Sequence, residues 1–85
     1  MAKILIYSKD YCPYCQRAKA LFQKLGQVFE EIDLLANPNK KSEMVSMANG
    51  RSTVPQIFIN GKHIGGCDDL YKLHDAGKLT PLLAE

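Results

Sequence analysis

An 85-residue chain has room for one core, since single domains run from ~50 to ~200 residues, and 46% hydrophobic residues with three Phe and four Tyr are enough to fill it. Eleven Lys and Arg against nine Asp and Glu leave a formal charge of +2, scattered along the chain, which argues against the clustered basic face that nucleic-acid binding needs. Three cysteines, odd in number and with one close pair, do not make the even framework of a disulfide-stapled secreted domain; in a reducing compartment such a pair points to redox chemistry or metal.

The start, MAKILIYS, carries one Lys but neither a long apolar stretch nor a small-residue cleavage site, so no secretory signal is expected. No run approaches the ~20 apolar residues needed to span a bilayer. The expectation is a cytoplasmic protein with no membrane segment.

Lys3-Ile4-Leu5-Ile6-Tyr7 reads as a buried strand that runs into the polar loop Ser8-Lys9-Asp10. From Pro13 the spacing becomes helical, with Cys15, Ala18, Leu21, Phe22 and Leu25 on one face and Gly26 as the cap beyond it. Pro13 suits a first helical position, where its missing N–H costs nothing. Val28 to Leu34 reads as a second strand, and strand, helix, strand with short links implies parallel pairing through a right-handed crossover. Asn37-Pro38 is read as the N-cap and first turn of a helix through Met44 and Met47, ending near Asn49-Gly50. Gln56 to Ile59 and Lys62 to Ile64 flank Asn60-Gly61, the dipeptide suited to a type I′ hairpin turn. A final helix is expected from Cys67-Asp68-Asp69 through Leu70 and Leu73 to Gly77, with Leu79 to Leu83 as a packed tail.

The pair Cys12-Pro13-Tyr14-Cys15 stands where a loop meets a helix N-terminus. The first turn of a helix leaves unpaired N–H groups and about half a positive charge, both of which favour a thiolate. Thiols at such positions have pKa values of roughly 3.5 to 7.5 against about 8.5 when free. Cys12 at the N-cap is therefore read as the exposed nucleophile, with Cys15, one turn further in, as the resolving thiol. Lys9, and less directly Arg17, would add positive charge. A zinc clip is the alternative, but beyond the pair only Cys67, His63 and His74 remain as ligand types, with no second tight pair.

Three separated motifs carry a resemblance over nearly the whole chain: Cys12-Pro13-Tyr14-Cys15, then Thr53-Val54-Pro55, then Gly65-Gly66-Cys67-Asp68-Asp69. In that order and spacing the chain resembles a dithiol glutaredoxin. The resemblance implies an α/β thioredoxin fold, a four-stranded mixed sheet with helices on both faces in the order βαβαββα, as a single domain over residues 1–85. It implies no tightly bound cofactor and glutathione as co-substrate. It further implies that Pro55 is cis and faces the cysteines, leaving the Val54 backbone free to pair with the cysteine portion of glutathione as an added strand. Thr53 and Gly66 belong to the same implied cleft. The start of the last helix, with Cys67 and Asp68 or Asp69, would then recognise the γ-glutamyl carboxylate and ammonium; Lys9 and Gln56 would face the glycyl carboxylate, and Tyr14 would flank the sulfur.

Taken without the resemblance, Asp68 and Asp69 read as ordinary helix-start acids, Val54-Pro55 as a turn before a strand, and Cys67 as a small packed hydrophobe. With it, the activity implied is reduction of glutathione mixed disulfides and protein disulfides. Partners are glutathione and disulfide-containing or glutathionylated proteins, ribonucleotide reductase among those the family suggests, and the chain is expected to be a monomer. Two rival functions fit a close cysteine pair less well. A thioredoxin-like enzyme served by a flavoprotein reductase is disfavoured because the chain has no Trp and lacks the Trp-Cys-Gly-Pro-Cys pattern. A protein that holds an iron-sulfur cluster between two protomers is disfavoured by the presence of both Cys15 and Pro13.

Overall fold

The computed structural model describes residues 2–84. In chain order it contains β1 (Ile4–Ser8), α1 (Pro13–Lys24), β2 (Glu30–Asp33), α2 (Lys41–Met47), β3 (Gln56–Ile59), β4 (Lys62–Gly65), α3 (Cys67–Asp75) and α4 (Leu79–Leu83). The sheet order is β2-β1-β3-β4. β1 runs parallel to β2, with Tyr7 beside Ile32, and antiparallel to β3, which is antiparallel to β4.

Alternation along the strands sends side chains to two faces and builds a core on each. Ile4 and Ile6 of β1 with Ile57 and Ile59 of β3 point to one face, where they meet Ala18, Leu21 and Phe22 of α1, Leu70 of α3, and Leu79 and Leu83 of α4. Tyr7 and Phe58, offset by one residue, point to the other face and meet Leu34, Met44 and Ala48. Helices therefore cover both faces of a mixed sheet, the thioredoxin fold expected from the sequence. Full burial of a side chain such as Phe22 or Ile57, neither exposed to solvent, is worth about 1.5–3 kcal/mol. Polar ties add to this. The Tyr7 hydroxyl donates to Glu43 at 3.1 Å, joining β1 to α2, and burial with that carboxylate pushes the phenol up to about 12.

Two elements differ from the sequence reading. The second strand begins at Glu30 rather than Val28, because β2 is an edge strand with only β1 to pair with, and Val28 stands 76% exposed beside it. Asn37 takes the N-cap position with Pro38 after it, but the first turn, Pro38–Lys40, is 3-10 and leads into α2, and the Asn37 side chain makes no cap bond: its amide donates back to the Asp33 carbonyl at 3.1 Å. The Asn60-Gly61 turn is as expected, with φ of 53° and 79°, both in the region that type I′ requires. The C-terminal tail packs as expected and forms the short helix α4.

The register brings the three motifs to one end of the sheet. Because Tyr7 pairs with Gln56, the residues after β1 lie beside those before β3; because Ile57 pairs with Gly65, the residues after β4 lie there too. The loops carrying Cys12, Val54-Pro55 and Gly66 leave the sheet together.

Candidate active site

Cys12 is the N-cap of α1, with extended backbone dihedrals (φ −106°, ψ 102°), and Pro13 takes the first helical position. The first helical bond, Gln16 N–H to the Cys12 carbonyl, is 3.1 Å. The Cys12 sulfur receives the Cys15 N–H at 3.2 Å, the bond a capping side chain makes to an orphan donor of the first turn. No acidic side chain sits in that turn to oppose a negative sulfur. Cys15 is fully buried under the same turn. The two cysteines form a disulfide, their Cα atoms 5.2 Å apart, within the range that geometry permits. Tyr11, immediately before, is 98% exposed and holds φ at 58°.

Facing this pair is the Val54-Pro55 bond, which is cis, and the Val54 carbonyl oxygen lies 3.9 Å from the Cys12 sulfur. A cleft runs past it, lined by Tyr14, Arg51, Thr53, Val54, Pro55, Gly66, Cys67, Asp68 and Asp69. Eight of these nine are residues singled out from the sequence, all but Arg51. Tyr14 is half-exposed at the rim, its ring 5.9 Å from the Arg17 guanidinium, which also sits 5.5 Å from the Tyr71 ring.

Glycines let the walls close in. A Cβ on Gly65, where φ is 119°, would fall on the Asp69 carboxylate and the Arg51 guanidinium, and one on Gly66 would come within 3.4 Å of the Pro55 carbonyl. Thus α3 opens directly against the cis proline.

The two aspartates of α3 do different things. Asp69 accepts the Gly66 N–H at 2.9 Å and the Arg51 guanidinium at 3.0 Å; these two partners hold its carboxyl below the ordinary 3.8. Asp68 is exposed and makes no ion pair or side-chain hydrogen bond with a described residue, so its charge is free to meet a ligand. Arg51 is the cleft residue that the sequence reading missed. It lies in a loop with no periodic or spacing signal, and only the fold brings it opposite the first turn of α3.

Lys9 does not line the cleft; it sits half-buried in the loop between β1 and α1. Gln56 does not face the cleft either. It is fully buried, and its amide donates to the Thr53 carbonyl at 3.0 Å and hydroxyl at 3.2 Å, while its oxygen lies 2.8 Å from His63 Nε2. Cys67 is 4% exposed and belongs to the core, and burial pushes its thiol up, which makes it a protonated, poor nucleophile. Among the described residues, no group of three or more His, Cys, Asp or Glu side chains is placed to hold a metal ion, and no helix is long and apolar enough to cross a membrane.

A sequence model of the Glutaredoxin family matches residues 4–64. Glutaredoxin 3 of Escherichia coli strain K12 is 54% identical over 83 residues, covering 98% of this chain and 99% of that protein. The crystal structure of a buckwheat glutaredoxin-glutathione complex superposes with a TM-score of 0.89 at 40% identity, over 98% of this chain and 77% of that one. The solution structure of a glutaredoxin from Brucella melitensis superposes with a TM-score of 0.84 at 53% identity, over 98% and 89% of the two chains. With a Cys-Pro-Tyr-Cys pair capping α1, a cis proline opposite it and close relatives at nearly full length, the chain belongs to the glutaredoxin family of glutathione-dependent thiol-disulfide oxidoreductases.

Proposed function

We propose that Cys12 is the nucleophile and Cys15 the resolving thiol of this activity, with glutathione held in the cleft between Val54-Pro55 and the start of α3. The observation that carries this reading is the position of the Cys12 sulfur: at the N-cap of α1, bonded by the Cys15 N–H and 3.9 Å from the Val54 carbonyl. In the reduced protein the same N–H and the helix dipole favour a thiolate there.

The Cys12 thiolate attacks the glutathione sulfur of a mixed disulfide, forms the Cys12-glutathione bond and expels the substrate thiolate, which takes up a proton. A second glutathione thiolate attacks the glutathionyl sulfur, releasing oxidised glutathione and regenerating Cys12. With an intramolecular protein disulfide, Cys12 bonds one sulfur and Cys15 then attacks Cys12. This frees the second substrate thiol and leaves the Cys12-Cys15 disulfide for two glutathione molecules to reduce. Closure by a thiol three residues away is faster than by one from solution because its encounter entropy is already spent.

The bound tripeptide is read against the cleft as follows. Its cysteine backbone pairs with Val54 as an added strand, and Thr53 and Pro55 form the wall behind it. The γ-glutamyl carboxylate meets the free N–H groups at the start of α3, at Cys67 and Asp68, while the exposed Asp68 carboxylate pairs with the ammonium. Asp69 keeps Gly66 and Arg51 in place for this. Lys9 approaches the glycyl carboxylate from the loop before Cys12, and Tyr14 shields the sulfur. The glutathione named with the buckwheat relative supports this choice of ligand.

The chain acts as a single glutaredoxin domain over residues 1–85, as a cytoplasmic monomer, on glutathionylated and disulfide-containing proteins, with ribonucleotide reductase a substrate to assay. The test is NADPH consumption in an assay coupled through glutathione reductase, with glutathione and a small glutathione mixed disulfide. Turnover by the parent that vanishes in Cys12→Ser supports the reading; no turnover by the parent refutes it.

A further inference from the structure

Gln56 is a polar residue buried within the sheet and His63 a half-buried one beside it, and the chemistry at Cys12 uses neither. Their hydrogen bonds nevertheless end at the cleft. Gln56 is fully buried. Its Nε2 carries two hydrogens, one reaching the Thr53 carbonyl at 3.0 Å and the other the Thr53 hydroxyl at 3.2 Å. Its Oε1 can then only accept, so the His63 Nε2 at 2.8 Å must be the protonated nitrogen of that ring. In a neutral ring the other nitrogen accepts, and Asn49 Nδ2 stands 3.3 Å from His63 Nδ1 to donate.

The ring is held on its face as well, tilted against Phe58 at a centroid distance of 5.2 Å. Burial and the Arg51 guanidinium hold its pKa below the ordinary 6.5, against an opposing pull from Asp69; Lys62, Lys72 and Lys78 line the same hollow as His63 and Asp69. The bonds at both ring nitrogens and this downward shift select the neutral, Nε2-protonated ring.

The chain of bonds runs Asn49, His63, Gln56, Thr53, and Thr53 lines the cleft one residue before Val54. We propose that His63 and Gln56 form a strut that fixes the Thr53-Val54 wall of the cleft, making them positioning residues for glutathione. This deepens the function proposed above and rests on it. Without the His63 N–H, the Gln56 oxygen is a buried acceptor with no donor, a cost that favours swinging the side chain out of its place, and that movement breaks both bonds to Thr53.

The experiment compares the parent with His63→Phe, which keeps a ring against Phe58, with Gln56→Met, and with the double variant, in the coupled assay on a glutathionylated peptide. The strut predicts that KM rises about 3- to 10-fold in each single variant, the fold-change of roughly one lost hydrogen bond, with kcat kept within about twofold. The double variant should be no worse than the worse single one, since both act through the same bonds. The rate of Cys12 alkylation in the reduced proteins should not move, a readout that general loosening of the fold would change. Nitrogen NMR of the parent ring gives a test that needs no variant, and it should show the proton on Nε2. A proton on Nδ1, an unchanged KM in both variants, additive losses, or a fall in kcat and alkylation together would overturn the strut. Parent turnover that is lost in Cys12→Ser tests the underlying function separately, so with that result in hand an unchanged KM counts against the strut alone.

Discussion

At the scale of single residues, three cysteines share one composition and have three environments. Cys12 meets a helix N-terminus at the surface, Cys15 is buried one turn below it, and Cys67 is packed in the core with its thiol pushed up. The first distinction leads to a kinetic prediction: Cys15→Ser keeps activity toward glutathione mixed disulfides and loses reduction of intramolecular protein disulfides, measured with one substrate of each kind. Activity retained on both would remove the resolving role. The aspartates of α3 separate in the same way. Asp68→Asn should raise KM for a glutathionylated peptide about tenfold, the scale of one charge-assisted contact, and leave the melting temperature unchanged. Asp69→Asn should lower the melting temperature, because a neutral amide oxygen accepts more weakly from Gly66 and Arg51 than the carboxylate does; kinetics and thermal melts on the same samples check both. The places of Cys12 and Cys15 at the start of α1 were legible from the sequence, because Pro13 and the helical spacing after it mark that helix start. The division of labour between Asp68 and Asp69 was not, since Arg51 is 18 residues from Asp69 along the chain.

At the scale of elements, carboxylates tie segments together and make stability depend on pH. Glu31 of β2 accepts from the Ser8 hydroxyl of β1 and from Lys19 of α1 at 2.9 Å, and these partners lower its pKa from the ordinary 4.5. Asp69 is likewise held below its ordinary 3.8. A carboxyl with a depressed folded pKa binds its proton more readily when unfolded, so its stabilisation is present above the ordinary value and fades as pH falls below it. Both groups are partly exposed, which keeps the effect small. Urea unfolding should therefore show stability falling from pH 5 toward pH 3 (about the ordinary carboxyl range), and the fall should be shallower in Glu31→Gln; an equal slope in that variant would contradict the assignment. Strand and helix identities were legible from periodicity, and the hairpin from Asn60-Gly61. The late start of β2 was not, because pairing partners rather than local sequence decide whether Val28 and Phe29 join a sheet. Nor was the place of Gln56: the family resemblance implied that it faces the cleft, and strand alternation turns it inward.

At the scale of the whole molecule, a two-faced core holds the one sheet end where the motifs converge. A domain this small has a stability of roughly 5–15 kcal/mol at most, so one large cavity is a serious loss. Phe22, fully buried between α1 and the sheet, is the place to test this: Phe22→Ala should cost about 3–5 kcal/mol in chemical denaturation, and a loss below about 1 kcal/mol would show that this face is not the core described here. The overall architecture was legible because strand, helix and turn signals agree with one another along the chain. Residue patterns alone do not set Cys12 against Val54; the family resemblance implied it, and long-range strand pairing closes a separation of 42 residues to 3.9 Å.

The most direct test of the central claim is to trap the first intermediate. Reduced Cys15→Ser protein, incubated with oxidised glutathione and digested without reductant, should carry one glutathionyl adduct, located on Cys12 by peptide mass spectrometry. An adduct on Cys67, or none at all while the protein remains folded, would contradict the assignment of Cys12 as the nucleophile that takes up glutathione.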